Sequence, residues 1–231
     1  MNLMFVSLQF KLEMKKEDKE KLIKLMRKQS SAIRVGYNML RDLEKDKTKN
    51  PYAQIYQRLR ELFPELPTKY IDSAIYKAKQ YPTDKHVVFG GKRLFEKLCK
   101  NHLAGKARER LKKQWREQRQ GTLVSIGSKS DKGNRLTRFE NINGQIHLRI
   151  TTGNREFICA KVLREPSNSK DKWLTFMTIL LESWQTKNYF PYTVELKLRD
   201  GEVYGSVSFE LPTPEVRYKR ENGVIAIDTN A

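Results

Sequence analysis

Leu3-Met4-Phe5-Val6-Ser7-Leu8-Gln9-Phe10-Lys11-Leu12 decides how the rest of the chain is read. Met4, Val6, Leu8, Phe10 and Leu12 fall on one face of an extended chain, and Ser7, Gln9 and Lys11 on the other. That alternation predicts a half-buried strand. Helical patterns alone follow it for about a hundred residues, so its sheet partners must come much later. The helices are therefore an insertion in a sheet.

From about Lys15 to Gln118 the apolar residues recur at helical spacing. Leu22, Ile23, Met26, Ile33, Tyr37, Leu40 and Leu43 make one long amphipathic helix, broken by the turn Thr48-Lys49-Asn50-Pro51. A second helix carries Tyr52, Ile55, Tyr56, Leu59 and Phe63 and ends at Pro64 and Pro67. Thr68 is placed to cap a third, which carries Ile71, Ala74, Ile75 and Ala78. After a short extended piece, His86 to Lys92, helical spacing resumes. The helix from Lys106 to Arg119 is the most basic: Leu111 and Trp115 share a face amid Arg108, Arg110, Lys112, Lys113, Arg116 and Arg119, against Glu109 and Glu117.

At Gly121 the period changes to two. Residues 122–125, 136–142, 145–150 and 157–162 read as strands, and Asn143-Gly144 is a type I′ hairpin signal. A second hairpin joins 193–198 to 203–209 through Asp200-Gly201, with a short helix expected between Lys172 and Trp184. Pro212 and Pro214 mark a linker, and Gly223 precedes a last apolar strand, Val224-Ile225-Ala226-Ile227, ending in Asp228. The fold class expected is α+β, with an antiparallel, barrel-like sheet interrupted by helices.

Charge narrows the function. The 231 residues carry 46 Lys and Arg against 27 Asp and Glu, a net charge of +19. A self-repelling field of that size points to a polyanionic partner, with nucleic acid the leading candidate and a solvated basic surface the plain alternative. No apolar run approaches the roughly 18 residues of a membrane span, and the short apolar start Leu3-Met4-Phe5-Val6, interrupted by Ser7 and Gln9, does not have the shape of a signal peptide. Cys99 and Cys159 lack metal-ligand spacing and read as reduced thiols of a cytoplasmic protein. His86, His102 and His147 are likewise isolated.

Two stretches are placed to hold phosphate. One is the helix, through Arg108, Lys112, Lys113, Arg116 and Arg119. The other is the glycine-bearing loop Gly127 to Arg135 with Arg138 behind it, through Lys129, Lys132, Arg135 and Arg138; a hairpin tip with no ligand is the alternative there. Aromatics at Tyr52, Tyr56, Tyr70, Tyr76, Tyr81 and Trp115 could stack on bases, although their helical spacing suits most of them to a core.

Three segments together resemble the transposon-encoded TnpB (OrfB) family of RNA-guided endonucleases, related to type V CRISPR effectors. They are Val88-Phe89-Gly90-Gly91-Lys92, with Leu94-Phe95 behind it; Trp115 to Arg119 leading to Lys132-Gly133-Asn134-Arg135; and Ile225-Ala226-Ile227-Asp228-Thr229-Asn230. The resemblance implies a wedge domain built from 1–14 and 120–222, a helical recognition domain at 15–119, and the start of an RNase H-like (RuvC) nuclease domain at 223–231. It implies a guide RNA and target DNA as partners, and places Lys69, Ser73 and Lys77 where the family reads its flanking DNA motif. Asp228 would be one Mg²⁺-binding catalytic carboxylate. The later carboxylates of that site are absent from these residues, so the expectation is nucleic-acid binding without cleavage by this chain alone and with no cofactor of its own. A non-cutting RNA-guided repressor or a general basic RNA-binding protein is the alternative.

Overall fold

The computed structural model describes residues 3–45, 50–100, 104–153, 155–164 and 170–212. Thr48, Lys49, His102, Pro214, Gly223 and the strand ending in Asp228 lie outside the described residues. Those described form seven strands and six helices. In chain order they are β1 (Leu3–Glu13), α1 (Lys16–Lys45), α2 (Pro51–Leu62), α3 (Thr68–Lys79), α4 (Lys92–Cys99) and α5 (Gly105–Gln120). There follow β2 (Thr122–Ile126), β3 (Thr137–Ile142), β4 (Gln145–Gly153), β5 (Glu156–Arg164), α6 (Lys170–Gln185), β6 (Thr193–Arg199) and β7 (Glu202–Pro212).

All seven strands join one curled antiparallel sheet, a half-barrel in the order β2-β6-β7-β1-β5-β4-β3. The opening strand is its centre. β1 pairs with β7 from Leu3 to Leu12 and with β5 only from Phe10 to Glu13. Its apolar stripe is buried accordingly: Leu8, Phe10 and Leu12 are buried, whereas Met4 is 44% exposed. Among the described residues the first half of the strand has a neighbour on one side only, which the alternation by itself does not reveal. Both hairpin turns adopt positive φ at their two central residues, 51° and 77° at Asn143-Gly144 and 51° and 79° at Asp200-Gly201, as type I′ turns require.

α6 lies against the concave face of the sheet. Trp173 and Phe176 meet Phe10 of β1, Phe139 of β3 and Phe209 of β7 at ring separations of 4.8 to 5.9 Å. The helix is longer than the short one expected, spanning Lys170–Gln185. α1, α2 and α3 bury Met26, Ile33, Tyr37, Ile55, Leu59, Ile71, Ala74 and Ala78 in the same continuous core. Thr68 does not cap α3. Pro67 takes the cap position, where its carbonyl accepts from the Tyr70 and Ile71 amides at 2.8 and 3.3 Å, and Thr68 is the first helical residue. No strand forms between Tyr81 and Gly91; Val87 and Phe89 instead pack on the core from an irregular segment.

β2 is an edge strand, and edge strands expose unpaired backbone groups. Here helix side chains occupy that edge. Gln29 of α1, fully buried, donates to Val124 O (2.7 Å) and accepts from Val124 N (2.6 Å). The Ser30 hydroxyl does the same for Thr122 O and N, both at 3.0 Å, and Ser73 of α3 accepts from Ile126 N at 3.2 Å. Alternate residues of β2 are thus satisfied as though another strand lay beside them. The helical insert is docked on the sheet by polar groups as well as by its apolar face.

Candidate nucleic-acid interface

α5 has no buried residue. Arg108, Lys113 and Arg116 are exposed, Lys112 lies 3.8 Å from Glu109, and Arg119 covers the Trp115 ring at 5.1 Å. What fixes so polar a helix is a set of contacts at its C-terminal end. Arg34 of α1 donates to Arg119 O at 2.7 Å, a cation at the helix end where carbonyls are unpaired. Burial, and then the charge of Arg119, lower the Arg34 pKa to about 10. Glu117 accepts from Asp200 N at 2.8 Å, tying the helix to the β6–β7 turn.

The other side of α5 meets the segment before α4. Trp115 packs on Phe95 (6.0 Å) and against Gly90, whose φ is 93°. A Cβ at Gly90 would lie 2.8 Å from Trp115 Nε1 and 2.9 Å from Trp115 O, so only glycine fits there. Trp115 is therefore spent on packing. Tyr70 is fully buried and Tyr81 is half-buried against Tyr37 and Phe89; of the aromatics weighed for stacking, Tyr76 is 53% exposed.

The loop between β2 and β3 is a fixed structure. Asn134, buried, donates through Nδ2 to Ser125 O (2.9 Å) and Tyr192 O (3.1 Å). Its Oδ1 accepts from Ser125 Oγ (2.7 Å) and from the amides of Leu136 (3.2 Å) and Thr137 (3.1 Å). A Cβ at Gly127 would lie 1.9 Å from Gly133 O, and one at Gly133 2.6 Å from Phe190 O. Backbone crossings that close admit only glycine. The Asn134 amide thereby ties β2 to β3, the two outermost strands of the sheet, at one end of the half-barrel.

Asp131 anchors the tip. Its carboxylate accepts from Ser128 Oγ at 2.7 Å and pairs with Lys69 of α3 at 3.0 Å. Burial would raise its pKa, but these hydrogen bonds and the charges of Lys69 and Arg135 outweigh that and hold it below the ordinary aspartate value. Lys129, Lys132 and Arg135 project from the loop and are exposed. The loop is thus a rigid mount for three cations.

α3 runs between the two basic regions, which leave opposite ends of β2. Lys69 is engaged by Asp131 at the loop end, and Lys77 pairs with Glu195 at 3.3 Å near the α5 end. Ser73 is buried, its hydroxyl shared between Lys69 O and Ile126 N. All three residues placed on α3 therefore have partners within the chain. Arg138 sits on β3, with its guanidinium over the Trp184 ring at 4.9 Å.

Three residues beside this surface carried no signal in the sequence. Arg149, Arg155 and Phe157 join Arg135 and Arg138 around a cavity of about 340 Å³. They are contributed by neighbouring strands and a turn, so only the register places them together. The register, in which Arg138 lies opposite Arg149, was the missing information.

Among the described residues no helix is long and apolar enough to cross a membrane, and no three His, Cys, Asp or Glu side chains converge as metal ligands. Asp228, assigned to Mg²⁺ by resemblance, lies outside them.

Fold and surface define a strongly basic α+β protein, a curled seven-stranded sheet with a docked helical insert. Residues 5–223 match the family described as the SSO2105 N-terminal domain, and the chain belongs to that family. No curated protein matches it.

Proposed function

We propose that the chain binds nucleic acid through α5 and the β2–β3 loop, as the guide-RNA- and target-DNA-holding part of an RNA-guided DNA endonuclease of the TnpB type. The observation that carries the binding is α5 itself. A helix with no buried residue contributes little to the core, yet it is fixed at its C-terminal end by Arg34, Glu117 and Trp115 and presents Arg108, Lys113 and Arg116 outward. Within a chain of net charge +19, such a helix suits a run of backbone phosphates.

The RNA-guided part of the reading rests on the three quoted segments. Two acquire a physical reason. Gly90 must be glycine for Trp115 to pack, and Gly133-Asn134 must keep a bare Cα and an amide for the loop to close. Structural needs of that kind explain why such short patterns would recur in proteins of one fold.

The test is affinity for structured RNA over a range of salt. A binding constant falling steeply, with a log-log slope of about −0.7 to −0.9 per phosphate neutralised, is expected. Binding absent at low salt, or insensitive to salt, would refute the reading.

A further inference from the structure

The cavity on the outer face of β3, β4 and β5 is lined by Arg135, Arg138, Arg149, Arg155, Glu156 and Phe157, so that four guanidinium groups face one carboxylate. Arg138 and Arg149 are directly opposite in the β3–β4 register, an arrangement that is unfavourable for like charges. Their Nε atoms are buried and have no hydrogen-bond partner among the described residues. Among the described residues Arg149 alone of the four arginines has an ion pair, to Glu140 at 3.8 Å. Arg155 adopts a φ of 67°, a left-handed conformation that glycine would reach without strain, and so sets a fourth guanidinium on the rim.

Phe157 is the other half of the site. It lies diagonal to Arg149 on the same sheet face, since Thr151 pairs with Phe157 and Arg149 with Cys159. The Arg149 guanidinium rests 4.1 Å from the ring centroid, and the residue is still 54% exposed. An exposed aromatic ring backed by a cation is a stacking surface for a nucleobase.

We infer that this cavity takes one nucleotide of a single-stranded nucleic acid, its phosphate held by Arg138 and Arg149 and its base stacked on Phe157. A single strand is required because bases within a duplex have no free face to offer. The inference rests on the nucleic-acid reading above and adds to it a site away from α5.

The experiment measures binding of the whole chain to a short unstructured RNA and to a fully paired duplex of the same length. Phe157→Ala should weaken single-strand binding about fivefold or more without changing the salt slope, and Phe157→Tyr should restore it. Arg149→Gln should make the slope less negative by about 0.7, one phosphate contact on a single strand. An equal loss on the duplex, or single-strand affinity unchanged by Phe157→Ala while charge reversal on α5 still lowers it, would overturn this site and leave the wider reading standing. No binding by the unaltered chain would overturn both. Because Phe157 is more than half exposed, thermal unfolding of its variants should match that of the parent.

Discussion

Asn134 and Ser125 hydrogen-bond to each other twice, Nδ2 donating to the Ser125 carbonyl at 2.9 Å and Ser125 Oγ donating to Oδ1 at 2.7 Å. Both are buried. The same amide reaches Tyr192, Leu136 and Thr137, so one side chain holds two edge strands and the segment before β6. Asn134→Ala should cost about 2–4 kcal/mol, because it leaves several buried partners unsatisfied at once. Urea denaturation measures it, and a loss under about 0.5 kcal/mol would show that the loop closes without the amide.

Gln29 has the corresponding role on the outer edge of β2, where it serves Val124 N and O and also donates to Tyr70 O at 3.0 Å. Gln29→Leu keeps the volume but strands those groups, at an expected cost of about 2–3 kcal/mol. Gln29→Glu should cost at least as much near neutral pH, since it removes the donor and buries a charge. Hydrogen exchange at the Val124 amide should accelerate in both variants.

The Lys69–Asp131 pair makes the loop sensitive to acid. The Asp131 carboxyl titrates below its unfolded value, so its contribution is fully present above the unfolded aspartate pKa of about 3.9 and is lost as pH falls through the lower, folded value. Asp131→Asn should thus be less stable than the parent at pH 7. The difference should vanish towards about pH 2, below both values, and a difference that stays constant with pH would refute the linkage.

Charge reversal on α5 separates binding from folding. Arg108→Glu, Lys113→Glu and Arg116→Glu change exposed side chains with no ion pair among the described residues. Each should alter stability by no more than about 0.5 kcal/mol. Together they should weaken RNA binding and make its salt slope less negative by about 0.7 to 0.9 per lost contact.

Gly90→Ala tests the seat of α5. The added Cβ would meet Trp115 at 2.8 Å at a backbone φ of 93°, so a loss of about 1–3 kcal/mol is expected. RNA affinity should fall with it, although position 90 adds and removes no charge. A variant as stable as the parent would show that α5 is held without this contact.

Periodicity determined much of the architecture, because strand and helix spacing are local properties. The alternation in β1, the helical stripes of α1 to α3, both type I′ hairpins and the six later strands were legible in that way. So was the concentration of charge on α5 and in the β2–β3 loop. Other features depended on which strands meet and in what register, and that is settled by long-range pairing. Only the tertiary structure made Asn134 a clasp and Gln29 a surrogate strand neighbour, and showed that Lys69, Ser73 and Lys77 are engaged within the chain. It alone set Arg138 opposite Arg149 beside Phe157, since residues this far apart along the chain share a cavity only once β3, β4 and β5 have paired.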